Sequence, residues 1–213
     1  MAASTVERSS GGRRAQILTV AAQLFAQRGF HGVSIADLGA AVGVSGPALY
    51  RHFPGKEALL AELLVGISEH LLAGGQEIAA STADPERALA ALVAFQADFA
   101  GREPELIVVQ DRDLANLPEP ARRRVRRLQR TYVEIWVNTL RRLHPGLSEE
   151  GARVAAHGAF GLLNSTPHSG RSPHTAALLQ RMAVAALHGL PDPASHSAPA
   201  VLDTPRGRSR GDD

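Results

Sequence analysis

Apolar residues recur every three or four positions along most of this chain, and no stretch shows the sustained alternation of a half-buried strand. The segment 13–28 is typical, because its apolar side chains share one face of a helix with ~3.6 residues per turn. The periodicity predicts an all-α fold of about nine helices. The apolar face of this first helix consists of Ile17, Val20, Ala21, Leu24 and Phe25.

Proline, glycine and capping residues set the expected boundaries. Asp84-Pro85 and Pro104 each put a proline at the start of a helix, where its missing N–H costs least. The C-terminal end combines repeated Pro, Ser and Gly with no apolar period. We expect a disordered N-terminus over 1–10, a small helical unit over 11–55, a larger helical unit over 56–190 and a disordered tail over 191–213.

Finer boundaries are also expected. The first helix starts near Arg13, and the fourth starts near Lys56 and ends or bends near residue 80, where Gly74-Gly75 weakens it. Residues 164–174 form a polar loop before the last predicted helix.

The composition excludes several classes of protein. The 213 residues include no cysteine, which excludes a disulfide scaffold, a cysteine nucleophile and a thiolate metal site. No apolar run approaches the ~20 residues of a membrane-spanning helix, and the N-terminus lacks the apolar core of a secretory signal. We therefore expect a cytoplasmic protein with no membrane partner.

No catalytic or metal-binding arrangement is recognisable in the sequence. No nucleophile is paired with a base at a known spacing, and neither a phosphate-binding glycine loop nor an HExxH motif is present. His168 and His174 share one polar segment but have no third ligand nearby in sequence. We expect no enzymatic activity, no metal and no cofactor.

The strongest functional signal lies in residues 34–56. Ser34 is a good N-cap for a short helix that Gly43 ends, and Gly46-Pro47 begins a second short helix. Two helices joined by so short a turn form a helix-turn-helix, the unit that places its second helix in the major groove of DNA.

The second of these helices has a narrow apolar stripe. Leu49 and Phe53 lie four residues apart and face inward, so Tyr50, Arg51 and His52 point elsewhere. The small residues at the start of this helix permit close approach to base edges or sugars.

A set of residues at fixed offsets carries a family resemblance: Ile17, Ala21, Leu24, Phe25, Gly29, Phe30, Ser34, Ile35, Leu38, Ala41, Gly43, Val44, Ser45, Leu49, Tyr50, His52, Phe53 and Lys56. Through them, residues 13–56 resemble the DNA-binding domain of the TetR family of bacterial transcriptional regulators. The resemblance implies an Ω-shaped homodimer. In each subunit a DNA-binding head, here 11–55, joins a ligand-binding and dimerisation body, here 56–190, and a bound ligand moves the fourth helix and spreads the heads.

The same resemblance assigns candidate DNA contacts. Arg51 is the candidate for base readout, because a guanidinium can donate two hydrogen bonds to guanine. Gly46 and Ala48 depart from the polar residues often found there, so the shape of the DNA contributes more to recognition. Ser34, Tyr50, His52 and Lys56 match phosphate contacts, and Ser45, Gly46, Pro47, Ala48 and Arg51 match the positions nearest the bases.

The larger unit carries weaker signals. Large apolar side chains with a few polar groups suit a pocket for an apolar small molecule, although each one alone is more often plain core than a ligand contact. The pocket candidates are Phe95, Phe99, Gln110, Tyr132, Trp136, His157, Phe160 and Asn164.

Two surfaces of the larger unit have alternative interpretations. Small residues on the eighth predicted helix and the apolar face of the ninth, near 175–188, predict a four-helix seam between two subunits, with packing inside one chain as the alternative. The arginines between Arg122 and Arg130 form either a solvated face or a contact for an anion, such as the phosphates of a coenzyme A thioester. The sixth to eighth helices are loosely similar to those of actinobacterial TetR-like regulators of fatty-acid or acyl-CoA catabolism.

Together these features predict a ligand-responsive transcriptional repressor. It binds an inverted-repeat DNA operator as a homodimer and is released by a small apolar or acyl-CoA-type effector. The alternative is a helix-turn-helix adaptor that binds proteins and has no sequence-specific DNA binding. The basic residues Arg13, Arg14, Arg51 and Lys56 outnumber the acidic Asp37 and Glu57 around the motif, which favours DNA.

Overall fold

A computed structural model describes residues 3–169 and 172–190 of the chain. These residues form ten α-helices and one 3-10 turn (Leu114–Asn116), and the described part of the chain has no strand, in agreement with the predicted all-α class. The helices are α1 (Ala3–Arg28), α2 (Ile35–Val42), α3 (Gly46–Tyr50), α4 (Lys56–Ser81), α5 (Pro85–Arg102), α6 (Pro104–Asp113), α7 (Glu119–Leu143), α8 (Glu149–Leu163), α9 (Thr166–Ser169) and α10 (Pro173–His188).

Helices α1 to α3 form the head around a small apolar core. The rings of Phe25 and Phe30 lie 5.6 Å apart within it. Gly43 ends α2 with a φ of 73°, a left-handed conformation that residues with a side chain rarely adopt. All three helices contribute fully buried side chains, which are Ile17, Phe25, Leu38 and Leu49.

The long helix α4 belongs to the head and to the body. It packs against α1 and against α7, and its buried stripe runs from Leu59 to Leu71. By length and composition alone α4 could span a membrane, but much of its apolar surface packs against these two helices. One apolar core is therefore continuous from the head into the body.

α4 ends at Ser81, in agreement with the end predicted near residue 80, and Gly74-Gly75 lies inside the helix rather than at its end. These glycines serve close packing instead. A Cβ on Gly75 would lie 2.7 Å from Cε2 of Tyr132, so the absent side chain makes room for the tyrosine ring of α7.

The body is a bundle in which α5, α7, α8 and α10 pack on one another. Trp136 of α7 is fully buried, and its ring meets Phe160 of α8 edge to face at 4.8 Å between centroids. An ion pair between Arg153 and Glu134 ties α8 to α7. Large aromatic side chains thus occupy the middle of the body, beside the space described below.

Two boundaries differ from the sequence-based expectation. α1 begins at Ala3 rather than near Arg13 and so includes residues 3–10; it also includes Gly11 and Gly12, which cost a helix only about 1 kcal/mol each. The expected loop over 164–174 contains α9, where Pro167 stands in the first turn and proline is tolerated. The tail expected over 191–213 lies outside the described residues.

Gly43 has a left-handed backbone conformation, whereas Gly66 is helical, and this difference gives a matched pair of stability predictions. Gly43→Ala should lower the free energy of unfolding by about 1–2 kcal/mol, because alanine is strained at positive φ. Gly66→Ala should raise it by about 0.5–1 kcal/mol, because Gly66 is exposed within α4 and a Cβ there meets nothing. Urea unfolding measures both, and shifts of equal sign would contradict the assignment.

Candidate nucleic-acid interface and ligand cavity

Local capping builds the helix-turn-helix. The Ser34 backbone N–H donates to Oδ2 of Asp37 at 2.8 Å, and the Asp37 N–H donates to the Ser34 hydroxyl at 3.1 Å. The Ser34 hydroxyl also donates to Oδ2 of Asp37, and this bond, followed by the one from the Ser34 backbone N–H, holds the pKa of the exposed Asp37 carboxyl below its usual range. Ser45 caps α3 by accepting the Ala48 N–H at 3.4 Å.

Helix α3 buries one edge and exposes the other. Leu49 and Phe53 are buried in the head, whereas Tyr50 is 55% exposed. No ion pair to Arg51 is found among the described residues, so its guanidinium is free to bind another molecule. Of the predicted DNA contacts, Ser34, Ser45, Pro47, Tyr50 and Arg51 are exposed, and Gly46, Ala48, His52 and Lys56 are half-buried.

Lys56 has structural partners that the sequence did not indicate. Its Nζ donates to the carbonyl oxygens of Phe30 at 3.0 Å and Val33 at 3.1 Å, and it lies 4.4 Å from the centroid of the Phe30 ring. An ammonium has three N–H groups, so one remains for a phosphate. Lys56 therefore fastens the loop before α2 to the start of α4, whatever else it binds.

Arg14 likewise serves the head rather than an external anion. Its guanidinium pairs with both carboxylate oxygens of Glu62 on α4, donates to the carbonyl oxygen of His52, and stacks 4.1 Å from the centroid of the Phe53 ring. Glu62 lies 48 residues away, so no local pattern could have revealed the pair. The positive charge of the motif is therefore smaller than the count of basic residues suggested.

The body contains a cavity of about 220 Å³, partly open to solvent, between α4, α5, α6, α7 and α8. It contains five of the predicted pocket residues, and sequence reasoning missed the five others. No carboxylate, ammonium or guanidinium is among its lining groups. They are Ser68, Leu71, Gln96, Gln110, Gln129, Tyr132, Val133, His157, Phe160 and Asn164.

The remaining pocket candidates lie elsewhere. Trp136 is fully buried behind the ring of Phe160, and Phe99 is buried in the core. Phe95 packs against His70, with 5.6 Å between ring centroids. Its ring also fills the space that a side chain on Gly74 would occupy. Helical periodicity marks an inward face, and it cannot separate a cavity wall from solid core.

A hydrogen-bonded chain crosses the cavity wall. The Tyr132 hydroxyl donates to Oε1 of Gln96 at 3.1 Å, and Nε2 of Gln96 donates to Oδ1 of Asn164 at 2.9 Å. Burial raises the pKa of the Tyr132 phenol, which stays a neutral donor. The chain leaves the Asn164 amide N–H groups for a further acceptor. The wall therefore suits an uncharged, largely apolar molecule with a hydrogen-bond acceptor.

Six arginines lie along the first half of α7, outside the lining of the cavity. Arg122 and Arg123 pair with Glu119, and Arg124 pairs with Glu69. Arg126, Arg127 and Arg130 are exposed, with no ion pair among the described residues. Arg126 lies three residues before the lining residue Gln129, and Arg130 lies three residues before the lining residue Val133, so each neighbours a lining residue on the surface of α7. Three arginines of the predicted basic cluster are thus neutralised by glutamates, and the other three can bind an external anion.

An apolar groove runs along α8 and α10 on the outside of the body. Val154 is 67% exposed and Met182 is 47% exposed, which is unusual for large apolar side chains. The groove is lined by Val154, Ala155, Gly158, Ala159, Leu162, Ala183, Ala186, Leu187 and Leu190.

Among the described residues there is no group of three or more histidine, aspartate or glutamate side chains that could hold a metal ion.

Two protein-family models match the chain. One, described as bacterial regulatory proteins of the tetR family, matches residues 17–63, which cover the helix-turn-helix and the start of α4. The other, described as a tetracyclin repressor-like C-terminal domain, matches residues 82–168 of the body. Together the matches span more than half of the chain.

Curated relatives of this chain include transcriptional repressors. The HTH-type transcriptional repressor KstR2 of Rhodococcus jostii is 30% identical over 61% of this chain, and that of Mycobacterium tuberculosis is 30% identical over 60%. The matched regions span 64% of each relative's own length.

Solved structures share the fold along nearly their whole length. A TetR-family regulator from Bordetella parapertussis superposes with a TM-score of 0.76 at 25% identity, covering 82% of this chain and 93% of that one. The complex of AibR with isovaleryl coenzyme A and operator DNA has a TM-score of 0.67 at 21% identity, covering 81% and 96%. At that identity the second match shows the fold alone.

The contrast between Lys56 and Arg51 makes a prediction. Lys56→Met should lower the free energy of unfolding by about 1–3 kcal/mol, because it removes charge-assisted hydrogen bonds to two carbonyls. Arg51→Ala should change it by less than about 0.5 kcal/mol, because the side chain is exposed and has no ion pair in the part of the chain that the structure describes. Urea unfolding of both variants tests this, and an unchanged stability of Lys56→Met would refute the structural role.

Proposed function

The chain belongs to the TetR family of bacterial transcriptional regulators, and we propose that it is a ligand-responsive repressor that binds operator DNA as a homodimer. The family consists of regulators rather than enzymes. The observation that carries the proposal is the exposed edge of α3, where Tyr50 and Arg51 project from a helix anchored by buried Leu49 and Phe53, and where Arg51 has no ion pair among the described residues. As a DNA-binding regulator it works in the cytoplasm.

The exposed edge of α3 suits the major groove. Arg51 can donate two hydrogen bonds to a guanine, and Tyr50 and Ser34, which border one surface depression, can reach phosphates. Gly46 and Ala48 supply little chemistry of their own, so the backbone of α3 can approach the bases closely. Two heads in a dimer then contact two half-sites on one face of the duplex.

Selection from randomised duplex DNA tests the proposal. The protein should enrich an inverted repeat whose half-sites lie about one helical turn, or a multiple of it, apart. Arg51→Ala should lose that enrichment or change the preferred base at one position, at a cost of about 1–3 kcal/mol per half-site. Arg123→Ala, an exposed arginine of α7 paired with Glu119, is the matched control and should enrich the same repeat.

Native mass spectrometry of the same sample establishes whether a copurified ligand occupies the protein. No enrichment by ligand-free protein would contradict the proposal and favour the adaptor hypothesis.

The apolar groove of α8 and α10 suits the subunit seam. Its small residues, among them Gly158 and Ala159, allow helices of a second copy to approach closely, and exposed Val154 and Met182 supply apolar surface. Two helices from each copy would complete a four-helix seam.

A charge placed in this groove should separate the subunits. Ala186→Glu should yield a monomer at micromolar concentration, because the seam would bury an unpaired carboxylate. Ala90→Glu, at an exposed position of α5, should remain dimeric. Sedimentation equilibrium distinguishes the two, and a dimeric Ala186→Glu would place the seam elsewhere.

The cavity and the arginines of α7 together suit a two-part effector. The neutral wall, with the Asn164 amide at the end of its hydrogen-bonded chain, suits a short acyl group and its carbonyl. A volume of about 220 Å³ is below the usual range for a whole drug-sized ligand, so the rest of the effector stays outside. Arg126 and Arg130 lie where they can pair with phosphates there. A short- or medium-chain acyl-CoA has all of these parts.

Ligand-induced stabilisation tests this effector class. Hexanoyl-CoA at about 100 times its Kd should stabilise the protein by about 2.7 kcal/mol, since it binds only the folded state. The thioether analogue S-hexyl-CoA, which lacks the carbonyl, should bind about tenfold more weakly. Arg126→Ala with Arg130→Ala should weaken hexanoyl-CoA about tenfold or more, whereas Arg123→Ala should not. Equal binding of free coenzyme A and hexanoyl-CoA would contradict an acyl site.

A further inference from the structure

Three polar side chains on the wall of the cavity are buried, namely Ser68, Gln96 and Tyr132, with exposures of 3%, 2% and 5%. Burying a polar group is costly unless it is hydrogen-bonded, so the partners of these groups limit what remains for a ligand. The Ser68 hydroxyl donates its one proton to the carbonyl oxygen of Leu64 on its own helix, at 2.6 Å. Gln96 and Tyr132 bond to each other, and Gln96 also bonds to Asn164.

The side-chain amide of Gln96 has two orientations of nearly equal shape, because its oxygen accepts and its nitrogen donates hydrogen bonds. In the structure its oxygen faces Tyr132 and its nitrogen faces Asn164, which leaves the Asn164 N–H groups for the cavity. If Gln96 were turned round, Asn164 would donate to it and present its own oxygen to the cavity. The direction of this hydrogen-bonded chain therefore decides whether the cavity offers a donor or an acceptor.

The indole of Trp136 constrains the tyrosine end of the chain. Its N–H group can only donate, and it is fully buried with no hydrogen-bond partner of good geometry in the described part of the chain. Tyr132 lies about one turn earlier on α7, and the two rings meet edge to face at 6.3 Å between centroids. Burial raises the pKa of the Tyr132 phenol, and the Trp136 side chain opposes this rise, as a donor beside the phenol oxygen does.

With a donor already beside its oxygen, the Tyr132 hydroxyl is left to donate. Its acceptor is Oε1 of Gln96 at 3.1 Å. If Gln96 were turned round, its nitrogen would be a second donor at the Tyr132 oxygen, and the buried hydroxyl proton would lose this acceptor. Leaving a buried donor unsatisfied is costly, so the orientation seen in the structure is favoured.

We propose that Tyr132, supported by the indole of Trp136, fixes the direction of this chain and so makes the cavity select ligands that accept a hydrogen bond over ligands that donate one. Tyr132 is a positioning residue for the Asn164 amide and acts on it through Gln96. The inference rests on the proposed function only for the claim that the selected ligand is the effector.

A ketone and its alcohol test this selection without coenzyme A. Methyl pentyl ketone only accepts hydrogen bonds, whereas the corresponding secondary alcohol has nearly the same shape and also carries a donor. Neither has a phosphate, so their binding does not depend on the arginines of α7. Titration followed by NMR should show that the parent protein binds the ketone about tenfold more tightly than the alcohol.

Two near-isosteric variants should change this ratio. Tyr132→Phe keeps the ring and removes the hydroxyl, so Gln96 and Asn164 can turn, and the ketone-to-alcohol ratio of affinities should fall about tenfold. Asn164→Asp presents only acceptors at about pH 8, where a carboxylate is ionised, and should reverse the preference. Phe160→Leu changes an apolar part of the same wall, so this matched control should weaken both probes alike and keep the ratio within about twofold.

The carbonyl resonance of a bound ketone labelled with ¹³C reports the donor directly, because it moves downfield when the oxygen accepts a hydrogen bond. In the parent and in Phe160→Leu the resonance should lie downfield of its position in an alkane solvent. In Tyr132→Phe it should move back toward that position. A role of Tyr132 in packing alone would leave the resonance unchanged.

The outcomes separate this inference from the proposed effector class. A ratio in Tyr132→Phe within about twofold of the parent's would overturn the fixed direction, and so would a parent protein that binds neither probe. Selection of the ketone by a parent protein that does not bind hexanoyl-CoA would support the fixed direction and contradict the acyl-CoA effector.

Discussion

The apolar stripe of α4 is the constraint on which the rest of the structure depends. One helix packs against α1 at the head and α7 in the body, so a single core runs through both. No flexible linker separates the head from the body, and packing against α4 sets the orientation of the head. Because α4 packs on both parts, the DNA-binding face of the head can be rigid and still respond to a ligand in the cavity of the body. This packing also limits how the head can move, because any motion must repack α4 or break the contacts between α1 and α6.

Some arginines of this protein hold structural elements together, and others are exposed and can bind an anion from outside. Arg14 pairs with Glu62, Arg112 with Asp113 and Arg153 with Glu134, each joining two elements or closing a helix end. The planar guanidinium, which can bond two carbonyls or both oxygens of a carboxylate, suits such junctions better than an ammonium does. Exposed arginines without a carboxylate partner in the described residues include Arg51 on α3 and Arg126, Arg127 and Arg130 on α7. These are the places where an outside anion can bind.

Local sequence signals predicted the helix-turn-helix because its geometry depends on local chemistry. Ser34, Gly43 and Pro47 act through caps, a left-handed turn and a fixed φ, and the structure uses each in that way. The cavity could be predicted only in part. The bond from Gln96 to Asn164 spans 68 residues, and that from Phe30 to Asp113 spans 83, so no periodicity indicates them. Trp136 and Phe99 share the inward pattern of true lining residues, which is why the sequence grouped them with the cavity.

The central claim is that two copies of α3, held at a fixed distance by packed bodies, read DNA together. Hydroxyl-radical footprinting of the protein on its selected operator tests this most directly. The structure predicts two protected patches on one face of the duplex, with centres separated by about one helical turn or a multiple of it. One protected patch, or uniform weak protection along the duplex, would contradict paired reading by two rigidly held heads.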